Sequence, residues 1–353
     1  PYMNDCKGEW IVRLLETLRD MPYRVRFLLG KRPRVRMLYL EVTHRCNARC
    51  ISCYTGAGRE KDDVLTPDEK KSVVRQAKQM GARTVSLSGS GEPLLYPHIF
   101  ELVDFIRLQD MQVVMFTNGT TIDRACADRL IARNVITYFK LFSLDPDTFD
   151  RMMGKTNAYE WVSHTYSCGD ASKTVCLPSG LKHLLDAQGA AGVAGLVRAE
   201  SLITKLNRRT LPDVAQLCKD LNLVLHLETP VCAGRAIENY ADIALDSAEY
   251  ESLYHELVAI LGEEYFRELR AHPCPVEHNP AVWTNGDIAL CSSRPAHVGN
   301  VRQASLESLF RKAQMRKRQE DRCLSQSDGE GRHFRTCPAR QYYQMRHGIR
   351  SDD

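Results

Sequence analysis

The stretch Met37-Leu-Tyr-Leu-Glu-Val-Thr-His-Arg-Cys-Asn-Ala-Arg-Cys-Ile-Ser-Cys-Tyr54 decides the fold of this chain. Its first four residues are apolar and predict a β-strand. Cysteines follow at positions 46, 50 and 53, with the spacing C-x3-C-x2-C. Three thiolates on one short loop can hold three irons of a cubane iron–sulfur cluster and leave the fourth iron open to a small molecule. The stretch therefore points to a redox enzyme.

Two other roles for Cys46, Cys50 and Cys53 fit the sequence less well. Zinc prefers four ligands and often takes them from Cys-x2-Cys pairs, but no fourth cysteine or histidine stands nearby at zinc-finger spacing. Buried and inert cysteines are also disfavoured, because three of them stand close together on a loop that follows a strand. Iron–sulfur ligation remains the best interpretation.

Composition and charge narrow the class of protein. The chain has 353 residues and thirteen cysteines, and it is too large to need disulfide staples, so cysteine here indicates ligation, catalysis or core packing. No apolar run approaches the roughly 20 residues that span a bilayer, and no signal peptide opens the chain, so we expect a cytoplasmic protein without a membrane partner. The net charge is +4, and acidic residues interleave the basic clusters, so no nucleic-acid partner is expected.

Strands and helices alternate over most of the chain. The patterns predict an N-terminal helix over about 8–30 and strands near 37–43, 84–88, 112–116, 135–141, 193–203 and 223–227, with helices between them and an irregular stretch over 143–177. Six strand–helix units in series predict an α/β fold, a partial (β/α)6 TIM barrel, whose function gathers at the carboxyl ends of the strands. The predicted domains are an N-terminal helix over 1–36, the barrel over 37–235, and a region over 236–353 that has a linker helix near 247–270 and then further cysteines.

Polar and glycine residues follow the predicted strands one after another. Gly89 and Gly91 precede Glu92, so backbone groups can approach a ligand closely there and the carboxylate can meet an ammonium group. Asn118 follows the third strand. Arg198 and Glu200 alternate on the fifth strand and so share a face, where charge is costly unless it is paired or bound to a ligand.

Taken together, these motifs resemble those of the radical S-adenosylmethionine (SAM) superfamily. The resemblance implies that SAM chelates the open iron, that one electron cleaves it to methionine and a 5′-deoxyadenosyl radical, and that this radical removes a substrate hydrogen. Ser52 and Ser90 depart from the family pattern, which has an aromatic residue and a glycine at those positions. The residues that the resemblance assigns to SAM are Tyr54, Gly89, Gly91, Glu92, Asn118 and Ser143, while Arg198 and Glu200 form either a SAM contact or a mutual ion pair.

A second set of cysteines follows the barrel. Cys274, Gly286 and Cys291 stand in the pattern C-x11-G-x4-C, with a β-hairpin predicted over 281–290 between the cysteines. This pattern resembles the start of the SPASM and twitch auxiliary-cluster domains, and the shorter twitch version fits the cysteines that remain. Cys323 and Cys337 would complete the ligands of a second [4Fe–4S] cluster, and a structural zinc site from the same four residues is the alternative.

The combination resembles twitch enzymes that epimerise or dehydrogenate aminoglycosides and aminocyclitols. The resemblance implies hydrogen removal from a carbinol carbon of an aminoglycoside, aminocyclitol or sugar-containing natural product. We expect epimerisation, in which a thiol returns a hydrogen, and dehydrogenation, in which the auxiliary cluster accepts an electron, is the close alternative. The candidate thiols are Cys176, Cys168 and Cys232, with Cys176 preferred because it precedes a helix start at Pro178. All three are expected on the side of the barrel that carries the cysteine loop.

Further residues and partners complete the prediction. Asp145, Glu228 and Arg235 stand at strand ends and are candidates for binding the substrate, because carboxylates suit a cationic sugar. An external reductant such as flavodoxin or ferredoxin is expected. A peptide maturase is a less favoured enzyme, and a zinc-stabilised binding protein without activity is the alternative from another class.

Overall fold

Six parallel strands form the centre of the sheet. A computed structural model describes residues 35–168, 171–270, 279–291 and 294–326; the predicted N-terminal helix over 8–30 lies outside these ranges. The strands are β1 (Met37–Leu40), β2 (Thr84–Leu87), β3 (Gln112–Thr117), β4 (Ile136–Lys140), β7 (Val197–Leu202) and β8 (Leu225–Glu228), counting a separate hairpin as β5 and β6. They pair in that order, each parallel to the next.

Helices join consecutive strands. They are α1 (Pro67–Gln79), α2 (Ile99–Leu108), α3 (Arg124–Ala132), α4 (Pro146–Met153), α5 (Ser179–Ala190) and α6 (Leu211–Asp220). Thr66 begins α1 with a capping box to Glu69, as its sequence predicts. Because right-handed crossovers all run in one direction along the sheet, they place the helices on one face and leave a second, inner face. The predicted α/β fold is confirmed as an open, partial barrel of six parallel strands.

The prediction of an irregular stretch over 143–177 is wrong. Asp145 caps α4 through a hydrogen bond from the N–H of Thr148, and Gly154 ends that helix in the left-handed conformation. An antiparallel hairpin follows, made of β5 (Trp161–Cys168) and β6 (Ala171–Pro178), which forms its own two-stranded sheet. The sequence did not predict this hairpin because many of its residues are polar and exposed to solvent, so no apolar run marks its strands.

The C-terminal part of the chain continues the sheet beyond β1. β9 (Ala281–Val282) pairs parallel to β1, and β10 (Asp287–Cys291) and β11 (Arg294–Asn300) follow as antiparallel neighbours. The chain thus turns at the predicted Asn285-Gly286 pair, where Gly286 has a φ of 89°. The remaining helices are α7 (Ala236–Ile243), α8 (Ser247–Leu261), α9 (Glu263–Arg270) and α10 (Leu306–Gln326).

The structure has two helices where the sequence predicts one. The helix expected over 247–270 breaks at Gly262, whose φ of 86° no helix accommodates. Among the described helices, none combines the length and the apolar character that a membrane crossing requires.

Candidate functional site

The cysteine loop leaves β1 and is fastened to the chain that follows it. The backbone N–H of Cys46 donates to the carbonyl of Gly58 (2.8 Å), and the N–H of Gly58 donates to the carbonyl of His44 (3.0 Å). These bonds close the loop on itself. Within it, the thiols of Cys46, Cys50 and Cys53 are each half-buried and form no disulfide.

The three thiols differ in how readily they ionise. Burial raises the pKa of Cys46 and raises that of Cys50 to about 12, because desolvation disfavours a thiolate. Desolvation also acts on Cys53, but the hydrogen bond from Thr55 and the charge of Arg235 outweigh it and lower the pKa of Cys53. Cys53 is therefore the thiol of the three that ionises first.

The Gly-Ser-Gly-Glu loop after β2 lies directly against the cysteine loop. The N–H of Glu92 donates to the carbonyl of Arg45 (2.8 Å), immediately before Cys46. Gly91 has a φ of 70°, and a Cβ there would strike the carbonyl oxygens of Thr43 and Arg45. Glycine is thus required at position 91 both by its conformation and by this close approach.

The side chain of Glu92 holds the loops after β2 and β3 together. It is almost fully buried and accepts hydrogen bonds from the Thr117 hydroxyl (2.7 Å), the Asn118 N–H (2.6 Å) and the Leu94 N–H (3.1 Å). Burial raises its pKa, although these hydrogen bonds oppose the shift. Three donors occupy three of the roughly four lone-pair positions of a carboxylate, so one position remains for a further donor.

Asn118 joins the third strand end to the cysteine loop. Its amide nitrogen contacts the Cys46 sulfur (3.8 Å) and donates to the side-chain oxygen of Asn47 (2.9 Å), while its own oxygen accepts from Thr120. The loops after β1, β2 and β3 therefore meet at one edge of the sheet, as the sequence predicts.

The loop after β8 clamps the cysteine loop from the other side. The guanidinium of Arg235 donates to the carbonyls of Cys50 (3.0 Å) and Ala57 (2.8 Å). The backbone N–H of Arg235 donates to the carbonyl of Cys53 (2.9 Å). Gly234 lies against the carbonyl of Tyr54 with no room for a Cβ. The structure thus places Arg235, which was predicted to bind substrate, as a support of the loop, a role that no sequence signal indicates.

A charged network lines the inner face near this edge. Lys140 on β4 pairs with Glu200 on β7 (2.7 Å), Glu200 shares a hydrogen bond with Glu228 on β8, and Glu228 contacts His226 (3.0 Å). Burial raises the pKa of Glu200, and the nearby charge of Lys140 opposes that shift. Desolvation would raise the pKa of Glu228, but the hydrogen bond with His226 lowers it.

The network corrects the expected pairing of Arg198 with Glu200. Arg198 instead donates to the hydroxyl of Tyr138 (2.9 Å), its neighbour on β4, while Glu200 pairs with Lys140. The ion pair between Arg198 and Glu200, one of the two roles predicted for them, is therefore not formed. Sequence reasoning missed Lys140 and His226 as members of the site. Strand alternation would have found Lys140, because it stands two residues after the inward-facing Tyr138.

Glu41 is a second buried carboxylate that sequence reasoning did not single out. It directly follows β1 and accepts backbone hydrogen bonds from Thr284 and Ser90, so it links the C-terminal segment to the loop after β2. Gly89 leaves room for its carboxylate, since a Cβ at Gly89 would lie 2.5 Å from the Glu41 Oε1. Desolvation raises the pKa of Glu41 to about 7.

Three other predicted residues occupy different environments. Ser143 is fully buried, bonds to the Thr210 hydroxyl (2.9 Å) and accepts from the N–H of Asp145, whose own side chain caps α4. Tyr54 is half-buried; desolvation and the charges of Glu41, Glu228 and Glu200 raise its pKa. The roles predicted for Ser143, Asp145 and Tyr54 stay predictions.

The three candidate thiols lie in different places. Cys168 ends β5 at the far end of the hairpin, where Lys173 bonds to Asp220 (2.7 Å), the last residue of α6, which leads into the amino end of β8; the cysteine loop leaves the carboxyl end of β1. Cys176 lies on the hairpin with its side chain exposed. Cys168 therefore departs from its expected place on the side of the barrel that carries the cysteine loop, whereas the place expected for Cys176 stays a prediction. Cys232 belongs to the loop that Arg235 fastens to the cysteine loop, and its thiol is exposed.

The second set of cysteines stays a prediction. Cys274 and Cys337 lie outside the described residues. Cys291 ends β10 and Cys323 lies within α10, and only their backbone positions are described. Among the described residues, no three cysteine, histidine or carboxylate side chains converge as the ligands of a single metal ion.

The comparisons with known proteins agree with this arrangement. The family model described as the Radical SAM superfamily matches residues 40–166, which run from the end of β1 into β5. This part of the chain is therefore similar to radical SAM domains. The match includes the cysteine loop, the Gly-Ser-Gly-Glu loop and Asn118, whose contacts are described above.

Curated proteins similar to this chain carry names of different activities. The chain is 25% identical over 232 residues to the mycofactocin maturase MftC of Mycobacterium tuberculosis, covering 64% of this chain and 54% of MftC. It is 23% identical over 322 residues to the AdoMet-dependent heme synthase of Methanosarcina barkeri, covering 79% of this chain and 83% of that protein. The chain spans little more than half the length of the curated relatives that it first matches.

Solved structures share the fold. Streptococcus suis SuiB bound to its precursor peptide SuiA superposes with a TM-score of 0.58 at 16% identity, covering 78% of this chain and 64% of SuiB. The anSMEcpe structure with bound AdoMet also gives 0.58, at 14% identity and with 80% and 82% coverage. Identities this low show a common fold and no more.

Proposed function

We propose that this chain is a radical SAM enzyme that removes a hydrogen atom from an organic substrate. When bound, a [4Fe–4S] cluster and SAM would supply the one-electron cleavage that generates the hydrogen-abstracting radical. The observation that carries the proposal is the contact among three strand ends, where Asn118 meets Cys46 and the Glu92 N–H meets Arg45. An external one-electron donor such as flavodoxin or ferredoxin completes the scheme.

The residues present fit these groups. Cys46, Cys50 and Cys53 would each hold a different iron of the cluster, so their sulfurs need not converge on one point as the ligands of a single ion do. Glu92 keeps one acceptor position for the SAM ammonium. Lys140 lies close enough to Cys50 and Glu92 to act on both electrostatically, so it is the candidate cation for the SAM carboxylate.

Anaerobic reconstitution with iron and sulfide tests the proposal. We expect about four irons per chain from the cysteine loop, or about eight if the second set of cysteines also holds a cluster. Cys53→Ala should lose about four irons and abolish cleavage of SAM to 5′-deoxyadenosine. Cys126→Ala, which removes a half-buried thiol on α3, is the matched control and should change neither. Zinc uptake without iron would contradict the proposal.

For the finer reaction, we propose epimerisation at a carbinol carbon of a sugar- or aminocyclitol-bearing molecule. We favour Cys232 over Cys176 as the hydrogen donor, because the backbone N–H of Arg235 in its loop bonds to the carbonyl of Cys53 in the cysteine loop. Dehydrogenation, with the predicted auxiliary cluster as electron acceptor, is the alternative outcome of the same first step.

Deuterium labelling tests the donor without knowledge of the substrate. Thiol hydrogens exchange with solvent, so slow SAM cleavage in D2O without substrate should place deuterium in 5′-deoxyadenosine when a thiol lies near the radical. Mass spectrometry should show this label in wild type and in Cys176→Ala, and its loss in Cys232→Ala. A label that persists in Cys232→Ala would exclude that residue.

A peptide maturase is the second candidate. It is favoured by the alignment with the maturase MftC, which covers 64% of this chain at 25% identity. The two candidates differ in what binds. Calorimetry with a short precursor peptide encoded beside the gene of this chain would show micromolar binding for a maturase. Absence of binding would leave the small-molecule proposal in place.

A further inference from the structure

Tyr159 carries a buried hydroxyl group with nothing to bond to. The residue is 8% exposed, and its hydroxyl finds no hydrogen-bond partner among the residues that the structure describes. A buried hydroxyl without a hydrogen-bond partner lowers the stability of a folded protein, so such a group calls for an explanation. A bonding partner that joins the folded chain later would provide one.

The surroundings of Tyr159 place it beside the cysteine loop. Its ring packs against Phe139 (centroids 5.7 Å apart) and edge-on against Phe149 (5.0 Å), which hold it in one orientation. One turn beyond Phe149 on α4, the sulfur of Met153 contacts the thiol of Cys50 at 3.8 Å. Tyr159 and Cys50 thus both pack against α4, Tyr159 on Phe149 and Cys50 on Met153 one turn further on.

The Tyr159 hydroxyl stays neutral. Desolvation raises its pKa well above the usual value, and the charges of Glu92, Cys50 and Asp150 add to the shift, so the phenol keeps its hydrogen. Glu92 does not accept that hydrogen in this structure: its bonds come from Thr117, Asn118 and Leu94, and the Tyr159 hydroxyl bonds to none of the described residues. The hydroxyl is left as a donor within electrostatic range of Cys50.

We infer that Tyr159 donates its hydroxyl hydrogen to a sulfur of the cluster bound by Cys46, Cys50 and Cys53, and thereby raises the reduction potential of that cluster. The inference rests on the proposed function. Hydrogen bonds to the sulfurs of an iron–sulfur cluster stabilise its more negative, reduced form. Tyr159 is a positioning residue here, since it acts on the cluster and not on the substrate.

Tyr159→Phe removes the donor and keeps the ring. The chain offers a matched control in Tyr96, which is also 8% exposed with an orphaned hydroxyl, but whose hydroxyl experiences the charges of Glu101 and Glu60. The measurement is an anaerobic redox titration of the reconstituted protein, followed by EPR of the reduced cluster. We expect a more negative midpoint potential in Tyr159→Phe and an unchanged one in Tyr96→Phe.

Thermal unfolding of the metal-free protein supplies an independent readout. Because the hydroxyl has no partner before the cluster is bound, Tyr159→Phe should leave the metal-free Tm unchanged or raise it. An unshifted potential, an equal shift in Tyr96→Phe, or a lowered metal-free Tm in Tyr159→Phe alone would each overturn the inference. A wild-type chain that takes up no iron would overturn the proposed function as well, so the two failures are distinguishable.

Discussion

At the scale of single residues, Gly91 shows why the loop after β2 needs glycine. Gly91→Ala should destabilise the protein strongly, because its Cβ would strike the carbonyl oxygens of Thr43 and Arg45. Gly192 is the matched control: its φ of 64° resembles the 70° of Gly91, but a Cβ there would meet open space. Urea unfolding should show a loss of about 1–2 kcal/mol for Gly192→Ala, from backbone conformation alone, and a clearly larger loss for Gly91→Ala. Equal losses would contradict the clash.

Glu41 should make stability fall as pH rises. Its folded pKa of about 7 lies above the unfolded value of 4.5, so the unfolded chain ionises first and gains stability relative to the folded chain. Wild type should lose about 3 kcal/mol of unfolding free energy from this group between pH 4.5 and 7. Glu41→Gln cannot ionise and should lack that loss. Urea unfolding curves measured across this pH range check it, and parallel pH profiles for the two proteins would be evidence against it.

At the scale of elements, Arg302 ties the turn after β11 to the start of α1. Its guanidinium bonds to both oxygens of Glu69 (2.7 and 3.2 Å), to Asp63 and to the carbonyl of Val64. Hydrogen bonding to Arg302 lowers the pKa of Glu69 to about 2. The hydrogen bonds that Arg302 donates to the ionised Glu69 therefore stabilise the protein above pH 4.5, and their contribution is lost as the pH falls toward 2.

Arg302→Ala should lower the unfolding free energy by roughly 1–2 kcal/mol at pH 7 and by less in acid. Arg302→Lys should recover only part of this loss, because lysine cannot donate two parallel bonds. Arg133→Ala, which breaks a pair with the half-exposed Asp104, should cost under about 1 kcal/mol. Hydrogen exchange at 281–291 should rise in Arg302→Ala and stay unchanged in the control. Unchanged exchange in both would contradict the tie.

At the scale of the whole molecule, we expect the C-terminal strands to unfold together with the six-stranded parallel sheet, because they pair with it. Ile288 on β10 is fully buried and pairs with Val282, which in turn pairs with Leu40 of β1. Ile288→Ala should cost about 2–5 kcal/mol and lower the Tm of a single transition, whereas Ile237→Ala, at a side chain 61% exposed, should change stability by less than about 0.5 kcal/mol. A second, separate calorimetric transition in Ile288→Ala would show that the C-terminal part folds independently.

The sequence alone determined what depends on neighbours along the chain. The spacing of Cys46, Cys50 and Cys53, the glycines at 89 and 91, and the period of the strands each follow from local geometry, and the parallel order then brings the strand ends to one edge. The predicted N-terminal helix and the cysteines 274 and 337 fall outside the described residues.

Only the tertiary structure decided what depends on distant partners. Arg235 donates to carbonyls about 180 residues earlier in the chain, and Lys140 on β4 pairs with Glu200 on β7. Cys168 lies at the end of a hairpin that contacts the last residue of α6. No local pattern encodes these choices, because a charged side chain or a thiol has the same sequence signature whether it binds a ligand or supports a loop. The packing of elements that are remote in the chain decides which partner each of these side chains meets. It therefore also decides which residues support the cysteine loop and which line the site.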